Sequence, residues 1–580
     1  MNRYLLCLTA EKADRTWLYI LGVIFGFLVY LAYVGIKQTK NNKKKLISKL
    51  KAQYGNISTR TYESTELMNI AHYYLNHKEG KEIVDDITWN DLDMNTVFAA
   101  MNTTQSSAGE EYLYYKLRTP SQKIEEVEEF DSMVRLMDEN EEQRLKLQEK
   151  LHAIGHTLKL SLSTYIESFR ELEASSKAID YLCIILLIAS IVSFAVFPQF
   201  GILFVLGVLT FNIIKYYSEK AVFDSYFICI GYLVRLAKNA SEMAKLEGMD
   251  PKIRSYLDDL ETHAKPLMKI VSRAKLIGAG DKSSGGNILD TLMDYVRLIT
   301  HIDLIQFKNT IDLVKDRSED IEALLRIIGY LECTIAVASY RNALPFYAVP
   351  EFVSGKELTI RMTDGYHPLL AAPVANNIDV QKCVLLTGSN ASGKSTFIKT
   401  VALCAILSQT IATAPAHTFT TRFYRIYTSM ALRDNLQNNE SYYMVEIKSL
   451  KRILDAKDGE NPVLCFVDEV LRGTNTVERV AASSQILENM AQSNILCFAA
   501  THDIELTYLL EDTYENYHFK ETVTDNDVTF DYVLNKGRAT TRNAIRLLKI
   551  LGYDEKIIES ADKTAETYLK TGEWRMEERR

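Results

Sequence analysis

Residues 181–214 read YLCIILLIASIVSFAVFPQFGILFVLGVLTFNII, 34 consecutive positions without a charged side chain. Nothing else in the chain narrows its fold as much, because an apolar run of this length is costly to leave in water. As a single helix it would extend about 51 Å at ~1.5 Å per residue, well beyond a hydrocarbon core of about 30 Å. Pro198 divides it into two stretches of about 17 residues, each at the lower limit for a membrane span. The pattern predicts a hairpin that returns the chain to the side it left, with Asp180 and Lys215 at its ends. Two spans, a re-entrant hairpin and a buried soluble hairpin all share this pattern; two spans is the expectation taken forward.

A second uncharged run, residues 17–36, has 20 residues and is followed by seven lysines between Lys37 and Lys51. The lysines follow the run and no A-x-A-like site is present, so a cleaved signal peptide is disfavoured. The lysine excess predicts a cytoplasmic location for the downstream side. Three spans then keep every large segment cytoplasmic, and the expected location is the cell membrane, multi-pass, with the bulk of the chain in the cytoplasm.

Outside these runs the chain is ordinary. It has 580 residues, a net charge of -8, and only 10 prolines and 25 glycines. Disorder is excluded by the apolar content, and a protein that coats nucleic acid would be strongly basic. The eight cysteines form no CxxC pair, which argues for reduced thiols over a disulfide framework or a zinc site. Residues 52–178 and 215–345 are rich in Glu, Lys and Leu at helical spacing, with a Gly/Ser-rich loop at 278–286. From about Phe346, β-branched runs alternate with helical stretches, as in an α/β domain with a parallel sheet. The expected fold class is therefore multidomain: an N-terminal anchor and Lys-rich segment (1–51), an all-α region with the membrane hairpin (52–345), and a C-terminal α/β domain (346–580).

That last part carries the chemistry. Residues 383–396 read CVLLTGSNASGKST, an apolar strand followed by G-x-x-x-x-G-K-S and a helical stretch. This is the phosphate-cradling loop of P-loop proteins in its required context. Gly388, Ser389, Asn390, Ala391, Ser392, Gly393, Lys394, Ser395 and Thr396 are the candidate ATP-binding residues. The glycines let backbone N–H groups curl around phosphates, and Lys394 reaches the β- and γ-phosphates. The Ser395 hydroxyl is a candidate Mg²⁺ ligand. About 75 residues on, a strand ends in Asp468 and Glu469; Asp468 would hold Mg²⁺ through water, and Glu469 would act as general base. A third strand ends at Thr501-His502-Asp503, where His502 can sense the γ-phosphate.

TGSNASGKST (387–396), FVDEVLRGTNT (466–476) and AATHDIEL (499–506) resemble the ATPase domain of the MutS family. Tyr366-His367-Pro368, the segment from Asp434 to Glu446, and FDYVLNKGRATTRNAIRLLKILGYDEKIIESA (530–561) add to the likeness. Residues 91–120 are similar to the opening of the family's core domain. The resemblance extends over roughly residues 85–570. It implies a MutS-core and lever-like helical region, an ABC-type P-loop ATPase, and a homodimer with composite ATP sites in which Ser441 reaches the partner's nucleotide. ATP and Mg²⁺ are the implied cofactors, with no small-molecule substrate besides ATP.

The departures from the family matter too. The expectation is that the mismatch-recognition domain is lacking, since no F-x-E wedge motif is found, and no Smr nuclease domain follows. Two function readings result. In one, a membrane-anchored MutS-like ATPase binds mismatched or structured DNA. In the other, a membrane mechanochemical ATPase acts on a protein or lipid partner without DNA. The lysines at 37–51 are the local basis for DNA, but topology determination and contact with anionic lipid are the preferred reading of that cluster.

Overall fold

The computed structural model describes residues 25–26, 29–30, 33–35, 37–157, 161, 164, 176–277, 295–389, 392–430, 442–472, 474–523, 528–539, 545, 548 and 552–572. The loop expected at 278–286 and most of the run at 17–36 lie outside these residues. The described positions of that run, among them Phe25, Val29, Tyr30 and Tyr33, are helical and exposed.

The first part of the chain is helical: α1 (Ser64–His77), α2 (Asp86–Asp91), α3 (Met94–Met101), α4 (Ser107–Arg118), α5 (Ile124–Glu139) and α6 (Glu141–Ile154). Local chemistry sets several starts. Asp85 caps α2 by accepting from Thr88 N, and Ser106 caps α4 by accepting from Gly109 N, each satisfying a donor that the helix leaves orphaned.

Next come α7 (Ala178–Val196) and α8 (Pro198–Met243), the expected hairpin with one difference. Pro198 is the first residue of α8, where its missing N–H costs nothing. Yet α8 does not stop near Ile214; it runs for 46 residues. Cys229, Ile230, Leu233, Leu236, Ala237 and Ala240 recur at helical spacing and are buried, so packing against the body carries the helix onward. Both arms of the hairpin are long and apolar enough to cross a membrane, and most of their surface is uncovered by protein. Ile185, Ile188, Ile191, Phe197, Phe200 and Leu203 are all exposed.

Helices α9 (Pro251–Ile277), α10 (Ile302–Asp316) and α11 (Ser318–Ala343) complete the helical region. At the crossing of α4 and α11, a Cβ on Gly109 would collide with the Glu332 carboxyl. That carboxyl accepts from the Gln105 and Ser106 backbone N–H groups and from Ser106 Oγ. Burial nevertheless pushes Glu332 up from 4.5 to about 7, because desolvation outweighs these three donors. The folded chain therefore binds an extra proton between these two values. Its contribution to stability is complete below about 4.5 and is lost as pH rises through about 7. Glu332→Gln should thus lose less thermal stability than the parent between about pH 5 and 8. Equal losses in both chains would show that Glu332 is ionised in the folded state.

The C-terminal part holds two sheets. The smaller has the order β1 (Glu351–Phe352), β5 (Thr418–Thr421), β2 (Ile360–Gly365), β3 (Asn376–Val380). The larger has six strands in the order β10 (Val528–Lys536), β9 (Tyr514–Val523), β4 (Cys383–Thr387), β8 (Ile495–Ala500), β7 (Val463–Asp468), β6 (Arg425–Ser429). Only the β10–β9 pairing in it is antiparallel. Strands β4 and β8 are buried at every position, as expected for parallel strands covered on both faces. The covering helices include α12 (Lys394–Ile411), α13 (Tyr442–Asp455) and α14 (Thr476–Ala491).

Among the described residues the helical region grips this part of the chain at several places, two of them buried. Asp91 accepts from Thr428 Oγ1 at 2.7 Å and from Met430 N at 2.9 Å, while Thr88 Oγ1 accepts from Thr428 N at 3.1 Å. These side chains satisfy donors that β6, as an edge strand, would otherwise leave open. The second grip is Arg341, near the end of α11. It donates to Thr413 Oγ1 at 2.8 Å and Ala412 O at 2.6 Å, just past the end of α12, and pairs with Asp131 at 2.8 Å.

Candidate functional site

Strand β4 ends at Thr387, and the chain turns through Gly388 at φ +150. A Cβ on Gly388 would lie 2.8 Å from Ser392 Oγ and 3.1 Å from Phe519 O, so both space and backbone angle require glycine there. Gly393, at φ +107, leads directly into α12, whose first N–H groups face the loop as an anion site. Lys394 Nζ folds back to donate to Gly388 O at 2.8 Å and Ser389 O at 2.9 Å. Burial lowers the Lys394 ammonium below its usual value, against the pull of Asp468, Glu469 and Glu521.

Ser395 Oγ donates to Asp468 Oδ2 at 2.5 Å. A hydroxyl and a carboxylate oxygen thus meet where hard oxygen ligands would suit Mg²⁺. Burial raises the Asp468 carboxyl, with Ser395 opposing; a bound cation would offset that penalty. Ser392 Oγ is buried and has no hydrogen-bond partner among the described residues. With the glycine turn, this orphaned hydroxyl fits a phosphate-bearing ligand.

Glu469 follows β7 in the left-handed region at φ +59, and Leu471 does the same at φ +56. Such angles cost of order 1–3 kcal/mol each in non-glycine residues and cluster at functional sites. Glu469 Oε1 lies 3.1 Å from His502 Nε2, and Glu469 Oε2 lies 2.8 Å from Arg472 Nε. Burial, then Lys394, lowers His502 against the pull of Glu469. The buried Glu446 accepts from Arg472 N at 3.2 Å and props the turn from below. Arg479 holds Asp503 through two hydrogen bonds, at 2.9 and 2.6 Å, which anchors the turn carrying His502.

The sheet order brings these parts together. Strand β8 lies between β4 and β7, so His502 emerges between the phosphate loop and the acidic pair. All three sit at the carboxyl ends of parallel strands, where open α/β sheets bind ligands. A cleft of about 430 Å³ results, lined by Ser389, Ser392–Phe397, Asp468 and Glu469 on one side. His367, Leu370, Pro373, Val374 and Tyr532 line the other. This second wall is suited to a flat heterocycle. Its His367 ring is pushed down to about 4, by burial first and Lys399 second, and so is neutral at physiological pH.

Of the expected site residues, Gly388, Ser389, Ser392, Gly393, Lys394, Ser395, Thr396, Asp468, Glu469 and His502 thus gather at one cleft end. Asn390, Ala391 and Ser441 lie outside the described residues. Sequence reasoning missed Arg472, Tyr532 and Glu521, which accepts from Ser389 Oγ. Glu521 stands on β9, outside every quoted motif; Tyr532 stands on β10, inside the 530–561 segment, but nothing in that segment singled it out.

A G-x-x-x-x-G-K-S loop between a buried strand and a helix, facing Asp-Glu at a nearby strand end, is the pattern of P-loop nucleotide-binding domains. More particularly, residues 384–569 match the family model of MutS domain V. The chain is 30% identical over 250 residues to MutS protein homolog 4 of Mus musculus, covering 40% of this chain and 26% of that protein. It is 28% identical over 268 residues to DNA mismatch repair protein MutS of Natronomonas pharaonis, covering 44% of this chain and 31% of the relative. For DNA mismatch repair protein MutS of Thermus thermophilus, the identity is 29% over 254 residues, covering 43% and 30%. The matched region is thus between a quarter and a third of each relative's length. The likeness to MutS proteins thus rests on residues 384–569 and their surroundings.

Proposed function

We propose that this chain is a membrane-anchored, MutS-like ATPase that binds and hydrolyses ATP to switch conformation. The observation that carries the reading is the joining of Ser395–Asp468 and Glu469–His502 at the mouth of the glycine loop. Lys394 and the N–H groups of the loop and α12 bind the β- and γ-phosphates. Ser395 and Asp468 would hold Mg²⁺, which when bound supplies positive charge to the phosphates. Glu469 takes the proton of the attacking water, and His502 orients Glu469 and the γ-phosphate. His367 and Tyr532 flank the base. The working unit is a homodimer, in which Ser441 completes the partner's site.

The hairpin argues for a membrane location, as two arms of spanning length with mostly uncovered surfaces. The N-terminal run at 17–36 is a further span, which leaves the helical region and the nucleotide domain in the cytoplasm. The division into an anchor (1–51), a helical region (52–345) and an ATPase domain (346–580) belongs to the same reading.

DNA as a partner comes from the relatives' names, two of which are DNA mismatch repair proteins. The hairpin favours the second reading, a mechanochemical ATPase that acts on a lipid or protein partner. The two are separated by salt-dependent binding of mismatched and branched duplexes to the detergent-solubilised chain. Binding that weakens steeply with salt supports a DNA partner; absence of binding at low salt overturns it and leaves the second reading. Failure of sodium carbonate to extract the chain from membranes is the result expected of spans, and release would overturn them.

A further inference from the structure

A buried ionic cluster lies at the base of the hairpin, remote in sequence from every nucleotide motif. Lys308 of α10, 3% exposed, places Nζ 2.6 Å from Asp180 Oδ2 of α7 and 3.2 Å from Glu219 Oε2 of α8. His301 is fully buried, with Nδ1 3.4 Å from Asp180 Oδ1 and Nε2 2.9 Å from Asn212 O. Asn212 in turn donates to Cys183 O at 3.3 Å and Ile299 O at 3.0 Å. Tyr216 donates to the buried Asp303 at 2.7 Å. Every one of these contacts joins an arm of the hairpin to residues 299–308 or to the other arm.

Charges this deeply buried are expensive, and an apolar substitute of equal volume would often hold three helices together as well or better. What polar groups add is a single allowed register, since sliding one helix against another would strand a charge. His301 reinforces this. It breaks the helical path between residues 295–300 and α10 at φ +55, an angle that a buried non-glycine residue holds only when its surroundings over-determine it.

The other end of the same structural chain reaches the nucleotide site. From α10 the path continues into α11, a helix of 26 residues and so about 39 Å long. Arg341 at its end holds Ala412 and Thr413, which directly follow the helix that begins at Lys394. A contiguous route therefore runs from the phosphate loop through α12, Arg341, α11 and, past the break at Arg317, α10 to the ionic cluster.

We propose that the Asp180–Lys308–Glu219–His301 cluster is a rigid joint that makes the apolar hairpin move as one body with α10 and α11 when the nucleotide site changes state. The proposal rests on the reading above that the site binds ATP and the hairpin lies in a bilayer. Without the joint, the hairpin would be tied to the body through the continuous helix α8, whose later half packs there, and neither α7 nor the hairpin half of α8 would be held in register with α10.

The test uses the full chain in nanodiscs, carrying Glu469→Gln so that ATP stays bound. Hydrogen exchange is followed in peptides from 178–221 and 295–316, with and without ATP. The parent should show an ATP-dependent change in both peptide sets. The paired change Asp180→Asn with Lys308→Met removes both charges without stranding either. It should abolish the change in 178–221 while keeping ATP binding and the change at the phosphate loop. An identical hairpin response in parent and paired variant overturns the joint. So does a parent hairpin that ignores bound ATP while staying in the bilayer. Failure of the parent to bind ATP, or of its hairpin to enter the nanodisc, refutes the underlying reading instead. Lys308→Met alone should lower the melting temperature more than the paired change, because it leaves the buried Asp180 without its 2.6 Å cation and with only the His301 contact at 3.4 Å.

Discussion

Glu469→Gln should leave ATP binding intact and slow single-turnover hydrolysis by about 10²–10⁴-fold, the span ascribed to a well-placed general base. The glutamine keeps the size of the side chain and can still accept from His502 Nε2, which lies 3.1 Å from the carboxylate. It cannot take a proton from water at neutral pH. Two donors share the carboxylate in this structure, Arg472 on one oxygen and His502 on the other, and each oxygen keeps a second lone pair that can take the proton. Quenched-flow measurement of phosphate release decides the matter, with nucleotide affinity measured in parallel. Hydrolysis within a few-fold of the parent would show that another group activates the water.

The second large effect is on binding. Lys394→Met should weaken ATP affinity by ~10- to 150-fold, equivalent to about 1.5–3 kcal/mol for a hydrogen bond to a charged partner. The ammonium is buried, with its usual protonation disfavoured, and is held by two backbone carbonyls. Phosphate oxygens would replace those carbonyls and relieve the desolvation. Methionine retains the stem's packing, so circular dichroism should not change. Equal affinity of the two chains for a fluorescent ATP analogue would remove Lys394 from the phosphate site.

These two predictions fall on residues that spacing alone picked out, whereas the groups that act on them came from the fold. The strands CVLLT, VLCFVD and ILCFAA were legible because each is short, apolar and β-rich, and the structure has strands over those residues. The glycines of the loop were legible because close backbone approach and positive φ leave no other choice at Gly388 and Gly393. His367 stood out as part of a motif, but its place on the wall opposite the phosphate loop was not evident. Arg472 reads as one more surface arginine until the left-handed turn at Glu469 brings the two side chains together.

The hairpin shows the same division. Its apolar run and the turn at Pro198 were plain from composition, since neither depends on a distant residue. The continuation of α8 to Met243 was not, because its driving force is burial against other helices. Least legible of all was the cluster beneath it. Asp180 and Lys215 read as the polar ends of a membrane segment, and Lys308 as one charge among many on an amphipathic helix.

The sequence by itself thus determined the chemistry of the phosphate loop, the acidic pair and the apolar character of the hairpin. All three are properties of neighbouring residues, governed by backbone geometry and solvation. Only the tertiary structure decided that β8 would separate β4 from β7 and seat His502 beside Glu469. It alone also buried Lys308 against Asp180 across 128 positions of chain. Strand order and long-range ion pairing are settled by global packing, where many weak contacts compete and no local pattern names the winner.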